Sequence, residues 1–266
     1  MLHAVRSAEI DLPAFPPPTR TALPEALRAR VRSAREIGRR REREPLPTGV
    51  PALDRLLEGG LPRGELVEVL GARSSGRLSL VLDVLAAATA AGESAALVDL
   101  GDHLDPSQAA AAGCDLARLL WVRPQKVEHA LAAVEMLLGA GFQLVVVDLG
   151  LPPVRGGRGI EAGWLRLARA ADAQGAALLV SAPYRASGTA AAAVLELDRG
   201  PVHWLRSGSA LLGGLGGSLT LEKRRGGATG RHAGISWRTA ESPLAPPLPE
   251  PCGEGVDFDL RARASA

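Results

Sequence analysis

Lysine is nearly missing from this chain. Of 31 basic residues only Lys126 and Lys223 are lysine, and the rest are arginine. The formal net charge is only +2 over 266 residues. An arginine bias beside abundant alanine and glycine follows coding composition as readily as function, so it makes no case by itself for a nucleic-acid patch. Cysteine is as scarce: Cys114 lies in an apolar stretch and Cys252 in a proline-rich tail. A disulfide framework or zinc site is not expected from two such distant thiols, and a reducing cytoplasm is the expected compartment. The five histidines (His3, His103, His129, His203, His232) show no metal-ligand spacing, so no metal is expected. Nor is there an apolar run of the roughly eighteen residues that a membrane span requires, or a signal-peptide pattern at the N-terminus.

What is present is a hydrophobic fraction of 46%, enough to bury the core of one large domain with tails. Its centre is Glu65-Leu-Val-Glu-Val-Leu-Gly71-Ala-Arg-Ser-Ser-Gly76-Arg77-Leu78-Ser79-Leu80. The pattern predicts a short strand, a glycine-bounded loop and a helix, the context in which backbone amides and a helix N-terminus cradle a phosphate. Gly71 and Gly76 complete G-x-x-x-x-G, with Ser74 and Ser75 inside it. A working loop continues with Lys, which reaches the β/γ-phosphates, and then Ser or Thr, whose hydroxyl holds Mg²⁺. Here those places hold Arg77, a wide planar fork, and Leu78, which has no oxygen.

Three regions follow from composition. Residues 1–45 form a proline-rich tail and a basic amphipathic helix from about Pro24 to Arg43, with Leu23, Leu27, Val31, Ala34 and Ile37 on one face. That helix reads either as a solvated helix docked on its own domain or as an arm docking on a neighbouring protein. Residues 46–240 form the core. Residues 241–266 are a proline-rich tail expected to be disordered, ending in a segment where Val256, Phe258 and Leu260 make a possible short docking motif. Within the core, strands are expected at Val67 to Leu70, Ala96 to Asp99, Leu119 to Val122, Leu144 to Asp148 and Leu178 to Ser181, with a helix at about Val127 to Leu138. Further strands are expected at Ala192 to Asp198, Val202 to Arg206, Ser218 to Arg225 and His232 to Arg238. The clusters Gly213-Gly214-Leu-Gly216-Gly217 and Gly226-Gly227 are read as their turns. Buried apolar runs separated by helical stretches predict an α/β fold whose mostly parallel central sheet is covered by helices on both faces, followed by C-terminal antiparallel strands.

The ordered series T-G-x-x-x-L-D at Thr48 to Asp54, G-G-L-P-x-G at Gly59 to Gly64, the loop, Val98-Asp99 and the strand ending in Asp148 resembles a RecA-type recombinase core. That resemblance implies a RecA-like P-loop fold, and it shows departures. Where the recombinases carry a water-activating glutamate stands Gly101, with Asp102 one residue too late. Where they carry a γ-phosphate-sensing polar residue stands Pro183. Both DNA-gripping loops look short, the first around Val154 to Gly163 with Arg155 and Arg158, the second at about Ala186 to Thr189. Asp148 matches the recombinases' second nucleotide-site carboxylate, though a carboxylate there also has a structural use. Lys223 and Arg225 match the basic pair that reaches a neighbouring subunit's nucleotide; a solvated strand end is the other reading.

Architecture and decayed loop together resemble the ImuA family of RecA-like proteins in bacterial translesion synthesis. The resemblance implies a non-catalytic adaptor in SOS mutagenesis, cytoplasmic and nucleoid-associated after DNA damage, with no catalytic residue and weak or absent ATP binding. Its implied partners are an ImuB-type inactive Y-family polymerase-like protein, RecA, and indirectly an error-prone C-family polymerase, with possible self-association, at most weak DNA contact and no membrane. The alternatives are an active RecA/RadA-type ATPase acting on DNA and a SulA-like inhibitor of cell division.

Overall fold

Four short apolar runs dictate the middle of this protein, and all four are buried along their whole length. In the computed structural model, which describes residues 43–150, 158–207 and 209–238 (backbone only for 158 and 205–211), these are β1 Leu66–Leu70, β2 Ala95–Asp99, β4 Leu144–Asp148 and β5 Ala177–Ala182. Strands that must be apolar on both faces belong in a parallel sheet covered on both sides. That is their setting here. The eight strands run in the order β3-β2-β4-β5-β1-β6-β7-β8, where β3 is Leu119–Val122, β6 Ala193–Ser207, β7 Ser209–Arg224 and β8 His232–Arg238. Pairing is parallel from β3 through β6 and antiparallel across β6-β7-β8. The expected α/β architecture is therefore present.

The period of two along each strand sorts the core into two halves. Leu97, Val146 and Leu179 face α1 Pro51–Leu57 and α2 Arg77–Ala90, meeting Leu53, Leu80, Val84 and Leu85. Their chain neighbours Val98, Val145, Val147 and Val180 face α4 Val127–Gly139 and α5 Arg158–Gln174, meeting Val134, Leu138, Trp164 and Leu167. The short α3 Pro106–Ala111 begins on Asp105, whose side chain accepts from Ser107 N.

The motif T-G-x-x-x-L-D proves to be a local staple. Thr48, fully buried, donates its hydroxyl to Asp54 Oδ1 at 2.6 Å, and the same oxygen accepts Thr48 N at 3.0 Å. This ties the entry segment to α1, whose Pro51 sits where a helix does not need its amide. Beyond α1, Gly60 has φ +131, and a Cβ there would lie 2.2 Å from Leu46 O, so the two strands of that bend can meet only through glycine.

Two expectations need correction. The cluster Gly213 to Gly217 makes no turn: it lies inside β7, and β6 continues through Arg199 to Val202 with register irregularities. The glycines serve close approach instead. A Cβ on Gly200 would sit 2.7 Å from Gly216 C, and one on Gly214 2.6 Å from Trp237 O. Gly226-Gly227 does form a turn. The first short loop also ends earlier than read, because residues 158–163 are already the first turns of α5. Arg155 lies outside the described residues, as do Leu23, Leu27, Val31 and Ile37 of the N-terminal helix and Val256, Phe258 and Leu260 of the tail. The chain divides into two units, Met1–Glu42 and Arg43–Ala266, and every described residue belongs to the second. No helix among the described residues is long and apolar enough to cross a membrane.

Leu97→Ala, in the middle of β2, is expected to lower unfolding stability by about 2–5 kcal/mol in urea titrations. Met136→Ala, on the 75% exposed outer face of α4, should shift it by under about 0.5 kcal/mol.

Candidate functional site

The loop between β1 and α2 has the strand–turn–helix geometry of a phosphate cradle. Gly71 N is bonded to Ala182 O at 3.2 Å, Ser74 is left-handed at φ 61 and Gly76 at φ 95, and α2 starts at the next residue. Gly71 is glycine of necessity: a Cβ would meet Ser75 Oγ at 2.4 Å and Leu197 O at 3.1 Å. Ser75 is buried and its hydroxyl has no hydrogen-bond partner. A pocket of about 520 Å³ opens over the loop, lined among others by Ser74, Arg77, His103, Asp148 and Pro183.

Arg77 does not reach out into that pocket. Its guanidinium folds back under the loop, where Nη1 donates to Gly71 O at 3.0 Å and Nε to Ser181 Oγ at 2.8 Å. Nη2 stands 3.4 Å from Asp148 Oδ1. Asp148 ends β4 and Ser181 is its register partner on β5, so the sheet itself places both groups beneath the loop. The Ser181 hydroxyl, having accepted from Arg77, donates to Asp148 Oδ1 at 2.7 Å. A lysine would meet these oxygens from a single nitrogen, whereas the forked guanidinium spans all three from Nε, Nη1 and Nη2. Leu78, half-buried, brings no oxygen to the pocket.

The other oxygen of Asp148 faces His103, with Nδ1 to Oδ2 at 3.1 Å. The imidazole lies across the backbone of Gly101, so close that a Cβ at 101 would stand 2.3 Å from its Cε1. The position that carries a glutamate in recombinases is thus not merely bare; its side-chain space is filled by a histidine two residues on. Asp102 turns outward at φ 55 to a two-pronged pair with Arg123, both contacts at 2.6 Å, while Arg123 stacks over Trp121 at 4.7 Å. The hydrogen bonds from Arg123 hold the Asp102 carboxyl below the usual carboxylate range.

Around this centre lie residues that the sequence did not single out. Asp99, the register partner of Asp148, accepts Leu104 N at 2.9 Å and Trp121 Nε1 at 3.3 Å on Oδ2. Glu68, buried mid-strand in β1, accepts from Ala186 N, Ser187 N and Ser187 Oγ, which ties the short connection after β5 to the sheet. Trp237 of β8 leans its ring on Gly76, where a Cβ would come within 2.3 Å, and donates to Asp83 Oδ2 of α2 at 2.7 Å. Burial pushes the Asp83 carboxyl up, partly offset by that hydrogen bond. Lys223 and Arg225 do not line the pocket: Lys223 Nζ donates to Gly188 O at 3.2 Å, and Arg225 is exposed.

This geometry has relatives. The family described as RecA N-terminal domain matches residues 33–152. RecA of Paenarthrobacter aurescens is 45% identical over 107 residues, 40% of this chain and 31% of that protein. RecA of Crocosphaera subtropica is 42% identical over 106 residues, 40% of this chain and 30% of its own length. The chain thus spans about a third of the RecA proteins it matches. Among solved structures, the RadB recombinase superposes with a TM-score of 0.56 at 22% identity, covering 71% of this chain and 94% of RadB. The core has a RecA/RadB-like α/β fold.

Removing the guanidinium should show how strongly the buried carboxylate depends on it. Arg77→Ala is expected to cost about 2 kcal/mol in chemical denaturation, the scale of hydrogen bonds to a charged group. Combined with Asp148→Asn it should cost clearly less than the two single losses added, because the charge left unpaired is gone.

Asp83 supplies a pH test. Its folded pKa is raised, so between the ordinary value of about 3.9 and the raised one the folded protein binds more protons than the unfolded chain. Stability from this group is full below that window and falls as pH rises through it. Asp83→Asn keeps an acceptor for Trp237, so it should raise the melting temperature at neutral pH, and the difference should close on acidification.

Proposed function

We propose that this chain is a RecA-like adaptor without ATPase chemistry, acting in SOS-induced translesion synthesis. In this reading it joins an ImuB-type polymerase-like protein to RecA, and through them an error-prone C-family polymerase. The observation that carries the non-catalytic part is the position of Arg77. Magnesium-bound triphosphate needs a hydroxyl at the place of Leu78 and a free Asp148, and it needs a cation that can follow the β/γ-phosphates. Here Asp148 and Ser181 are committed to Arg77, so the residues present do not fit the metal–phosphate group. With His103 across Gly101, no carboxylate stands where the recombinases activate water.

The adaptor role is supported by what such a shape still offers once hydrolysis is lost. The N-terminal stripe of Leu23, Leu27, Val31 and Ile37 and the strand end with Lys223 and Arg225 correspond to surfaces through which recombinase subunits meet. The short connection after β5, fastened to Glu68, leaves little chain to grip DNA along a filament. A RecA/RadA-type ATPase is the second reading, favoured by the 45% identity to RecA over 107 residues.

Purified protein is expected to hydrolyse ATP no faster than buffer and to show no nucleotide-dependent rise in melting temperature. The double reversion Arg77→Lys with Leu78→Thr should restore a measurable shift with Mg-ATP. The parent chain should capture RecA and the ImuB-type partner, and Leu27→Asp with Val31→Asp should abolish capture, since each buries an unpaired charge. An ATPase rate of the ordinary 1–1000 per second order, lost in Asp148→Asn, would overturn the non-catalytic reading in favour of the second one. Failure of the parent to bind either partner would overturn the adaptor role.

A further inference from the structure

Two buried carboxylates stand side by side at the ends of β2 and β4, Asp99 at 1% and Asp148 at 2% exposure; Arg77 reaches Asp148 through one oxygen, and the Arg123 guanidinium, itself paired with Asp102, acts on Asp99 only through space. Arg77 and Ser181 take Asp148 Oδ1. That leaves Asp148 Oδ2, which faces His103 Nδ1 at 3.1 Å. Asp99 is divided in the same way: Oδ2 has two N–H donors, while Oδ1 is buried with no hydrogen-bond partner. With Arg123 already paired to Asp102, Arg77 is the one guanidinium among the described residues in direct contact with either carboxylate, and buried negative charge with so little direct compensation is expensive. One ligand atom from each of Asp99, His103 and Asp148 lies within 4.8 Å of the other two, close enough for a single ion to touch all three.

We propose that Asp99, His103 and Asp148 form a binding site for a divalent transition-metal ion, independent of nucleotide, with an imidazole nitrogen and two carboxylate oxygens as ligands. The donor set selects the class: an imidazole with carboxylates suits Zn²⁺, Co²⁺ or Mn²⁺, whereas Mg²⁺ and Ca²⁺ prefer oxygen alone. Three protein ligands leave an open coordination position toward the pocket, the arrangement of sites that hold a water rather than of closed structural ones. The outer contacts suit ligand duty. Leu104 N and Trp121 Nε1 fix the Asp99 carboxylate from behind, and Ser181 and Arg77 fix Asp148, so each carboxylate is oriented before an ion arrives. The side chain at 101 must be absent for the imidazole to reach this place, which gives Gly101 a purpose apart from the loss of a glutamate.

Isothermal titration of metal-free full-length protein with Zn²⁺, and with Co²⁺ followed by its visible absorption, should give one bound ion per chain without nucleotide. Mg²⁺ at the same concentrations should give no heat. His103→Ala, at a half-exposed side chain that leaves the fold intact, should weaken Zn²⁺ binding by about tenfold or more and abolish the Co²⁺ spectrum. Asp99→Asn should do the same, and circular dichroism reports whether that buried variant folds; if it does not, His103→Ala alone decides. The proposal is overturned if the parent binds none of the three ions. It is equally overturned if His103→Ala binds Zn²⁺ as tightly as the parent, which would place the ion on other histidines.

Discussion

A carboxylate at the end of a fully buried strand has to be neutralised where it stands, and much of this protein's centre is arranged to do that for Asp148. Strand register supplies the Ser181 hydroxyl on one side but a second carboxylate, Asp99, on the other, and the first residue of α2 supplies the cation. In a nucleotide-binding loop that cation is shared with phosphate, which enters and leaves. In this chain it is held by a backbone carbonyl, a hydroxyl and a carboxylate of the same molecule, so Asp148 Oδ1 is compensated from within the fold. The exchange of a slim ammonium for a forked guanidinium brings this about, because donors on three separate nitrogens reach acceptors spread beneath the loop.

The sheet was legible because its strands are buried on both faces, and uninterrupted apolar runs such as Leu144-Val-Val-Val-Asp148 have few other places to go. The loop was legible for a different reason: glycine spacing and the absence of an oxygen at Leu78 are properties of the chain, not of its packing. The fold around them was less so. Gly213 to Gly217 read as a turn because glycine clusters usually are one, and nothing local says that Gly200 will need room opposite Gly216. His103 was set aside because its relation to Asp148 exists only through the pairing of β2 with β4, across a long stretch of sequence. Glu68 and Trp237 were missed similarly, each acting on a segment far away in the chain.

The pairing of Gly101 with His103 shows how a position can change its meaning without changing its neighbourhood. By composition, glycine there is a deletion of function. In space it is the gap into which an imidazole fits, and Gly150 approaches so closely that a Cβ on it would lie 2.7 Å from Gly101 Cα. A larger residue at 101 would therefore meet the His103 ring and could enter only if that ring moved.

Strand β1 lies between β5 and β6, and Trp237 of the final strand rests on Gly76. On the ribosome this separates the making of the loop from its completion. Gly71 to Gly76 emerge early, but their neighbours in the sheet and the ring that covers them come from the last third of the core. At ordinary elongation rates the interval from Gly71 to Trp237 is on the order of ten seconds. For the part of it before β5 and β6 are made, β1 has neither of its strand partners, and pairing across such distances is intrinsically slow. A chain built in this order completes the sheet around its loop only in the last third of the core's synthesis.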